Sequence, residues 1–330
     1  MPALGSSVAL CTFNGEAFIE AQVASLFAQQ RPVDEIVAVD DASNDSTVAL
    51  LTSLASRSPV PMHVHRNPAR LGAGANFERA MALTKGEIIF LCDQDDVWEP
   101  EKIATCLIPF ESDSNVVLVH SDAQLVGADM QSRSTTLFAA LEISPTERRL
   151  EDASRAFEML LKRNIVTGAT AAVRRSVFVQ AAPFPPEWVH DEWLAVIASL
   201  TGRLVRVDRP LIRYRQHGAN LIGAERRSAA QKLRALRSGR GDYQRRLLTR
   251  LTLLQTRMRM LQPAPGPAET SLVERTLAHA SVRARMPAAR WRRVPGILQE
   301  MLTLRYFRYA RGWTSVARDF LGPIDPHDPC

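Results

Sequence analysis

The 330-residue sequence has no long hydrophobic run. No stretch approaches the ~18 consecutive apolar residues of a membrane-spanning helix, so a helical membrane protein is excluded. No Lys or Arg precedes the first apolar run, and that run (Val8, Ala9, Leu10, Cys11) is far shorter than the core of a secretory leader. The protein is therefore expected to stay in the cytoplasm. Its four cysteines, Cys11, Cys92, Cys106 and Cys330, show no CxxC spacing. That argues against a zinc site or a disulfide framework and for buried, incidental thiols. There is no G-x-G-x-x-G fingerprint: Gly72-Ala73-Gly74 starts like one but has Phe77 in the third glycine position and follows the third strand. With no Walker A sequence either, a nucleotide bound here has to be held by acids and a metal. Internal repeats and low-complexity tracts are absent.

What is present is unevenly charged. The net charge of +6 is the balance of two regions. Residues 1–224 carry 20 basic and 27 acidic residues, a net of −7, and residues 225–330 carry 21 and 8, a net of +13. The boundary divides the chain into an acidic domain, 1–224, and an Arg-rich C-terminal region, 225–330.

In the first region short apolar runs alternate with helical periodicity. Residues 7–12, 35–40, 62–66, 87–92 and 116–120 read as strands; 17–30, a segment capped by Ser43 or Asn44, 76–84 and 100–110 read as helices. This rhythm predicts an α/β fold with a mostly parallel central sheet flanked by helices. Past residue 122 it loosens: 154–163 and 191–201 look helical, and 168–174, 203–207 and 211–214 strand-like. From 225 onward the pattern is Arg-rich and helical, broken by Pro263-Ala264-Pro265-Gly266-Pro267.

Ligands of such sheets bind at the carboxyl ends of strands, and the polar residues gather there. The first strand ends in Thr12-Phe13-Asn14-Gly15, the second in Asp40-Asp41-Ala42-Ser43, and the strand at 87–92 in Asp93-Gln94-Asp95-Asp96. Three acids in four residues repel one another unless a proton or cation relieves them. Mg²⁺ suits such a run, because it is usually held by one or two carboxylates plus substrate phosphates. An acidic turn leading into the helix near Pro100 is the competing reading.

Together these segments resemble family 2 glycosyltransferases of the GT-A fold. The resemblance is carried by SVALCTFNGEAFIEAQVASLFAQQ, DEIVAVDDASNDST and RLGAGANFERAMALTKGEIIFLCDQDDVWEPEKI. It continues to about residue 223 through NIVTGATAAVRR, HDEWLAVIASLTG and LIRYRQHGANLIG. This set is similar to the rhamnosyltransferase-like branch and spans about two thirds of the chain.

The resemblance implies roles. Thr12 and Asn14 would line the base pocket, and Asp40 or Asp41 would accept a hydrogen bond from the base or the ribose. Helix capping by Asp41 and Ser43 is the alternative. Arg70, Gly72 and Asn76 fall in the third nucleotide-contacting segment; Gly72 also suits a tight turn and Arg70 a solvated surface. Asp95 and Asp96 would hold a divalent cation, Mg²⁺ or Mn²⁺, and the diphosphate, with Asp93 supporting. Trp98 is expected to pack under this loop. Asp191, in His190-Asp191-Glu192-Trp193, would be the general base of a single inverting displacement, or else only a helix cap. His217 is a further candidate metal ligand, Arg213 and Arg215 would meet phosphates, and Asn164 and Gly168 would form the sugar-binding floor.

The expected activity is transfer of a sugar, with L-rhamnose favoured by the branch, from a dTDP- or UDP-linked donor to a saccharide acceptor, lipid-linked in bacterial surface polysaccharide assembly. A non-catalytic nucleotide-sugar or glycan-binding protein is the rival. Loss of the metal acids or of Asp191 would mark it, and none is lost. A sugar-phosphate nucleotidyltransferase is disfavoured because TFNGEAF lacks a Gly-rich basic loop. In the tail, arginines beside Ile297, Leu298, Met301, Leu302, Phe307 and Trp313 suggest attachment to an anionic membrane surface, on the inner face of the cytoplasmic membrane. A helical appendage with solvated arginines is the other reading. No nucleic-acid motif accompanies the charge.

Overall fold

The computed structural model describes residues 4–216 and 240–322. The chain divides into two units, Met1–Ala156 with Asn164–Glu225, and Phe157–Arg163 with Arg226–Cys330.

The first unit is built on one sheet of nine strands: β1 (Ser6–Thr12), β2 (Glu35–Asp40), β3 (Met62–Arg66), β4 (Ile88–Cys92), β5 (Val97–Trp98), β6 (Val116–Val126), β7 (Ser132–Thr136), β8 (Ala171–Arg174) and β9 (Arg203–Arg215). The order is β3-β2-β1-β4-β8-β6-β9-β5, with β7 beside β6. Strands β1, β2 and β4 are buried along their whole length, as parallel strands covered on both faces must be. Edge strand β3 is partly exposed and carries His63, His65 and Arg66, polar residues that blunt an open edge.

Pairing is parallel from β3 through β4. Strand β8 then enters antiparallel to both β4 and β6, and β9 returns parallel to β6. The sheet is therefore mixed. Its parallel half carries the loops after β1, β2 and β4 at one end.

Helices α1 (Ile19–Phe27), α2 (Thr47–Ser56), α3 (Ala73–Leu83) and α4 (Lys102–Ser112) connect these strands. They are followed by α5 (Leu137–Ala140) and α6 (Pro145–Asp152), then, after α7 (Ala156–Leu160), all but the first residue of which falls in the second unit, by α8 (Arg175–Ala181) and α9 (His190–Thr201). The core between sheet and helices includes Val8, Leu10, Ile36, Phe90, Ile103, Cys106, Phe110 and Val119. Cys11, Cys92 and Cys106 are free and buried.

Several boundaries differ from the periodicity. Helix α2 starts only at Thr47, because Asp45 Oδ1 accepts from the Thr47 N–H at 3.0 Å and folds the preceding residues into a turn. The two strands expected at 203–207 and 211–214 are one strand, β9. Pro210 interrupts its ladder with a register shift opposite Asp122, since proline has no N–H to donate. The segment at 168–174 opens with a 3₁₀ turn, Gly168–Thr170, before β8 begins.

Within the second unit the helices are α10 (Arg240–Met258), α11 (Pro267–Ala284), α12 (Arg290–Leu302), α13 (Arg305–Tyr309) and α14 (Trp313–Leu321). The Pro/Gly cluster at 263–267 separates α10 from α11, with Pro267 at the first helical position, where its missing N–H costs nothing. The arginines of this unit are not all solvated. Arg283 and Arg293 are each 1% exposed. Arg283 pairs with the buried Asp319 (Nε to Oδ2 2.6 Å), which also accepts from the Tyr306 hydroxyl at 2.7 Å and from Gln244 Nε2 at 3.1 Å. Arg293 donates to the carbonyls of Pro287, Ala288, Asp319 and Gly322. Part of the tail's charge is thus internal cross-linking.

Candidate active site

The loops after β1, β2 and β4 meet through side chains that hold one another. Asp40, at the end of β2, is 0% exposed. Its Oδ2 accepts from Thr12 Oγ1 at 2.9 Å and from the Ser43 hydroxyl, and its Oδ1 accepts from the Ser43 N–H at 2.8 Å. Asp40 therefore locks the turn in which Ala42 takes a positive φ of 62°. Thr12 is spent on the same lock, so both residues shape this loop from beneath it.

Asp41 binds the next segment. Its Oδ1 accepts from Asn67 Nδ2 at 2.8 Å and from the Leu71 N–H at 2.7 Å, and its Oδ2 accepts from the Gly72 N–H at 2.8 Å. Asn76 accepts from Asn67 Nδ2 at 2.8 Å and donates to the Val39 carbonyl at 2.9 Å. Gly72, at φ +86°, is in a conformation that a Cβ would strain although the space around it is open. Asp41 and Asn76 thus support the 67–72 loop and do not cap a helix. Arg70 is exposed and its guanidinium lies 3.9 Å from the Phe13 ring centroid. Asn14, also exposed, takes φ 49° and accepts from the Asn44 N–H at 3.0 Å.

Gln94, which sequence reasoning passed over as the spacer of an acidic run, clamps the loops after β4 and β1 together. Its Oε1 accepts from the Phe13 N–H at 2.8 Å and its Nε2 donates to the Phe13 carbonyl at 3.1 Å. A Cβ on Gly15 would meet the Gln94 carboxamide, so a larger residue there would push Gln94 off its clamp on Phe13.

The acids beside Gln94 lie in a low-dielectric setting. Burial, then the charges of Asp95 and Asp191, push Asp93 up to about 7, with Lys102 opposing. Asp96 is 1% exposed; burial followed by Asp95 and Asp93 raises it well above the usual carboxylate range. Its Oδ1 accepts from the Arg215 N–H at 3.0 Å, but its buried Oδ2 has no hydrogen-bond partner. An orphaned carboxylate oxygen among repelling acids fits a hard cation. Among the described residues no three metal-ligating side chains converge, and His217 lies outside them. Substrate oxygens would therefore have to complete such an ion's shell.

Arg215 is tied to the acid loop. It is 6% exposed, donates from Nε to the Asp95 carbonyl and from Nη1 to the Ala128 carbonyl, each at 2.7 Å, and stacks 4.8 Å from the Phe18 ring. It holds the acid loop in place. Arg213 pairs with Glu99 at 2.9 Å. Trp98 is 2% exposed beneath the loop, as expected.

Under the acids lies Lys102, fully buried. Its Nζ donates to the Ala169 carbonyl at 2.8 Å and sits 4.1 Å from the Trp98 ring centroid. Ala169 belongs to the 3₁₀ turn whose first residue, Gly168, donates its N–H to Asp191 Oδ2 at 2.9 Å. Asp191 sits in the first turn of α9, where its Oδ1 also accepts the Glu192 N–H at 2.6 Å. The preceding His190 stacks on Phe77 at 4.1 Å. Asn164 closes on Val166, accepting its N–H at 3.0 Å and donating to its carbonyl at 2.6 Å.

Tyr214, on β9, was also missed. Burial and then Asp93, Asp96, Asp95 and Asp191 raise its hydroxyl above the ordinary range, so all four acids act on one point. No local signal marks Lys102 or Tyr214, because each becomes special only through what packs around it.

A Glycosyl transferase family 2 model matches residues 7–180. A glycosyltransferase of Nostoc sp. is 26% identical over 226 residues, 65% of this chain and 65% of its own. The dTDP-rhamnosyl transferase RfbG of Shigella flexneri is 25% identical over 234 residues, 65% and 74% of the two chains. The chain thus spans slightly less than two thirds of the Nostoc protein. Among solved structures, S. aureus TarS 1–349 with UDP-GlcNAc superposes with a TM-score of 0.58 at 14% identity, covering 96% of this chain and 90% of that one. The mannosyltransferase PcManGT of Pyrobaculum calidifontis with GDP-Man and Mn²⁺ gives 0.50 at 17% identity, covering 96% and 85%. Both share the GT-A fold with this protein. With more than half its length matched by the family model, the chain belongs to glycosyl transferase family 2.

Proposed function

We propose that the protein is a metal-assisted, inverting glycosyltransferase that moves a sugar from a nucleoside diphosphate to a hydroxyl of a saccharide acceptor. The observation that carries this reading is the 3₁₀ turn that joins the residue beneath the β4 acid loop to Asp191: the Ala169 carbonyl accepts from Lys102 Nζ at 2.8 Å and the Gly168 N–H donates to Asp191 Oδ2 at 2.9 Å. In this reading Asp191 takes the proton of the acceptor hydroxyl as that oxygen forms a bond to the anomeric carbon. The bond from that carbon to the diphosphate oxygen breaks on the opposite face, so configuration inverts. Asp191's hydrogen bond from Gly168 orients it for this role.

Asn14, Arg70 and Gly72 line the nucleoside side, on loops held by Thr12, Asp40, Asp41 and Asn76. Asp95 and Asp96, with Asp93 behind them, would hold the cation, and Arg215 positions that loop. A bound Mg²⁺ or Mn²⁺ would supply charge neutralisation for the departing diphosphate. Similarity to RfbG supports dTDP-L-rhamnose as donor, with UDP-sugars the other choice. A lipid-linked saccharide acceptor and a peripheral position at the inner face of the cytoplasmic membrane suit the basic tail of the 225–330 region. No helix among the described residues is long and apolar enough to cross a membrane.

The test is a donor screen with Mn²⁺ or Mg²⁺, followed by two variants. Asp191→Asn should abolish transfer and leave nucleotide binding nearly intact; retention of more than a few per cent of activity rules Asp191 out as base. Asp95→Ala should remove the metal dependence of donor binding by calorimetry. If no nucleotide sugar is hydrolysed, transferred or bound, the whole reading fails.

A further inference from the structure

The end of the second unit exposes an apolar stripe flanked along the chain by arginines. On α12, Trp291, Leu298 and Leu302 are 72%, 51% and 85% exposed. They stand at i, i+7 and i+11, within roughly 40° of one another around the helix. The same helix buries Arg293, Ile297 and Glu300 on its other side, so its orientation is set by packing and the stripe is left outward.

Charge on this stretch has one sign. Between Met286 and Gly322 the acids are Glu300 and Asp319, and both are buried. Glu300 is engaged by His279 at 2.6 Å and Arg305 at 3.1 Å, and Asp319 by Arg283 and Tyr306. Arg290, Arg292, Arg305, Arg308 and Arg311 are exposed, so every exposed charged side chain in the stretch is an arginine. Arg292 lies beside the Trp291 ring, 5.0 Å from its centroid.

We propose that α12 seats on an anionic lipid bilayer, with Trp291, Leu298 and Leu302 entering the boundary between headgroups and acyl chains and Arg290 and Arg292 meeting headgroup phosphates. The inference rests on the peripheral location proposed above and names the face responsible. A stripe standing this far out of a convex helix needs no shape-complementary groove, because a fluid interface closes around it. The exposed charge of this stretch, all of it arginine, complements an anionic surface, which attracts juxtaposed arginines at about fivefold in affinity per residue. Tryptophan beside arginine suits the headgroup level, where one side of the ring is apolar and the other wet.

The test is flotation of the full chain with phosphatidylcholine vesicles and with mixed phosphatidylcholine–phosphatidylglycerol vesicles. Wild-type protein should float with the anionic vesicles and far less with the neutral ones. The double variant Leu298→Ser, Leu302→Ser should lose about tenfold or more in partitioning. Arg290→Gln with Arg292→Gln should lose binding mainly at low salt. Circular dichroism and hydrolysis of a soluble nucleotide sugar should be unchanged in each, which excludes misfolding. A wild-type protein that binds neither vesicle overturns the peripheral location itself. Equal flotation of wild type and the leucine variant leaves that location standing and overturns this face. If light scattering without lipid shows that the leucine variant dissociates an oligomer, the stripe is a contact between copies and the lipid proposal falls.

Discussion

The backbone N–H of Gly168 donates to Asp191 Oδ2 at 2.9 Å, and a Cβ on Gly168 would sit 3.0 Å from His190 Nε2 and 3.3 Å from Asp191 Cβ. The glycine thus touches the proposed base on two sides. Gly168→Ala is expected to displace Asp191 by a few tenths of an ångström and lower kcat by roughly tenfold, with little change in nucleotide affinity. Steady-state kinetics beside calorimetry with the nucleoside diphosphate checks this. A normal kcat would mean that the turn yields without moving the carboxylate.

Gln94 predicts a different outcome, because it works on the donor side. Gln94→Ala deletes both hydrogen bonds to Phe13 and frees the loop that carries Asn14. Stability should fall by about 1–3 kcal/mol, and nucleotide affinity should weaken with it. Gln94→Glu keeps the shape but cannot donate to the Phe13 carbonyl and adds a fourth carboxylate to the run, so it should be the worse of the two. Thermal unfolding and nucleotide titration of both variants decide the order.

Lys102 should leave a signature in the pH dependence of stability. Burial lowers its ammonium from 10.5 to about 8, against the opposing pull of Cys106, Cys92, Asp96 and Asp93. Between those values the unfolded chain holds the proton and the folded chain releases it, so the Lys102 contribution makes folding more favourable as pH rises from 8 to 10.5. Below pH 8 it is flat. Lys102→Met should remove this slope, and the difference between the two denaturation midpoints should change across that window only. Parallel profiles would show that the amine does not titrate there.

In the second unit, Arg283→Met should be costly. It removes the Arg283 guanidinium from the carboxylate of Asp319, which is 0% exposed, a loss of about 3–5 kcal/mol for a broken buried pair. Adding Asp319→Asn should recover part of this, since the neutral amide no longer needs the charge. Urea unfolding of the two variants measures the recovery.

Much of the parallel half was legible in the chain. Apolar runs such as EIVAVD and EIIFLC bounded by turn residues have few alternatives to buried parallel strands, and the acids at their ends mark the side where ligands bind. Roles within that side were less legible. Asp40, Asp41, Thr12 and Asn76 look like ligand contacts in the sequence, and in the fold their polar atoms also hold the loops to one another, because a buried polar group binds whichever partner the fold brings to it. Arg215 reads as a phosphate ligand, and in the fold its guanidinium also braces the acid loop through the Asp95 and Ala128 carbonyls.

The sequence alone determined that this is an α/β chain of the family 2 kind with an acidic first region and a basic tail, because periodicity, charge and motif are properties of neighbours along the chain. The tertiary structure decided which of these residues hold one another. Gln94 reaching Phe13, Lys102 reaching Ala169, Gly168 reaching Asp191 and Arg283 reaching Asp319 are contacts across 81, 67, 23 and 36 residues. No local pattern encodes such distances; they follow from packing, which removes water from these groups and makes the nearest partner decisive.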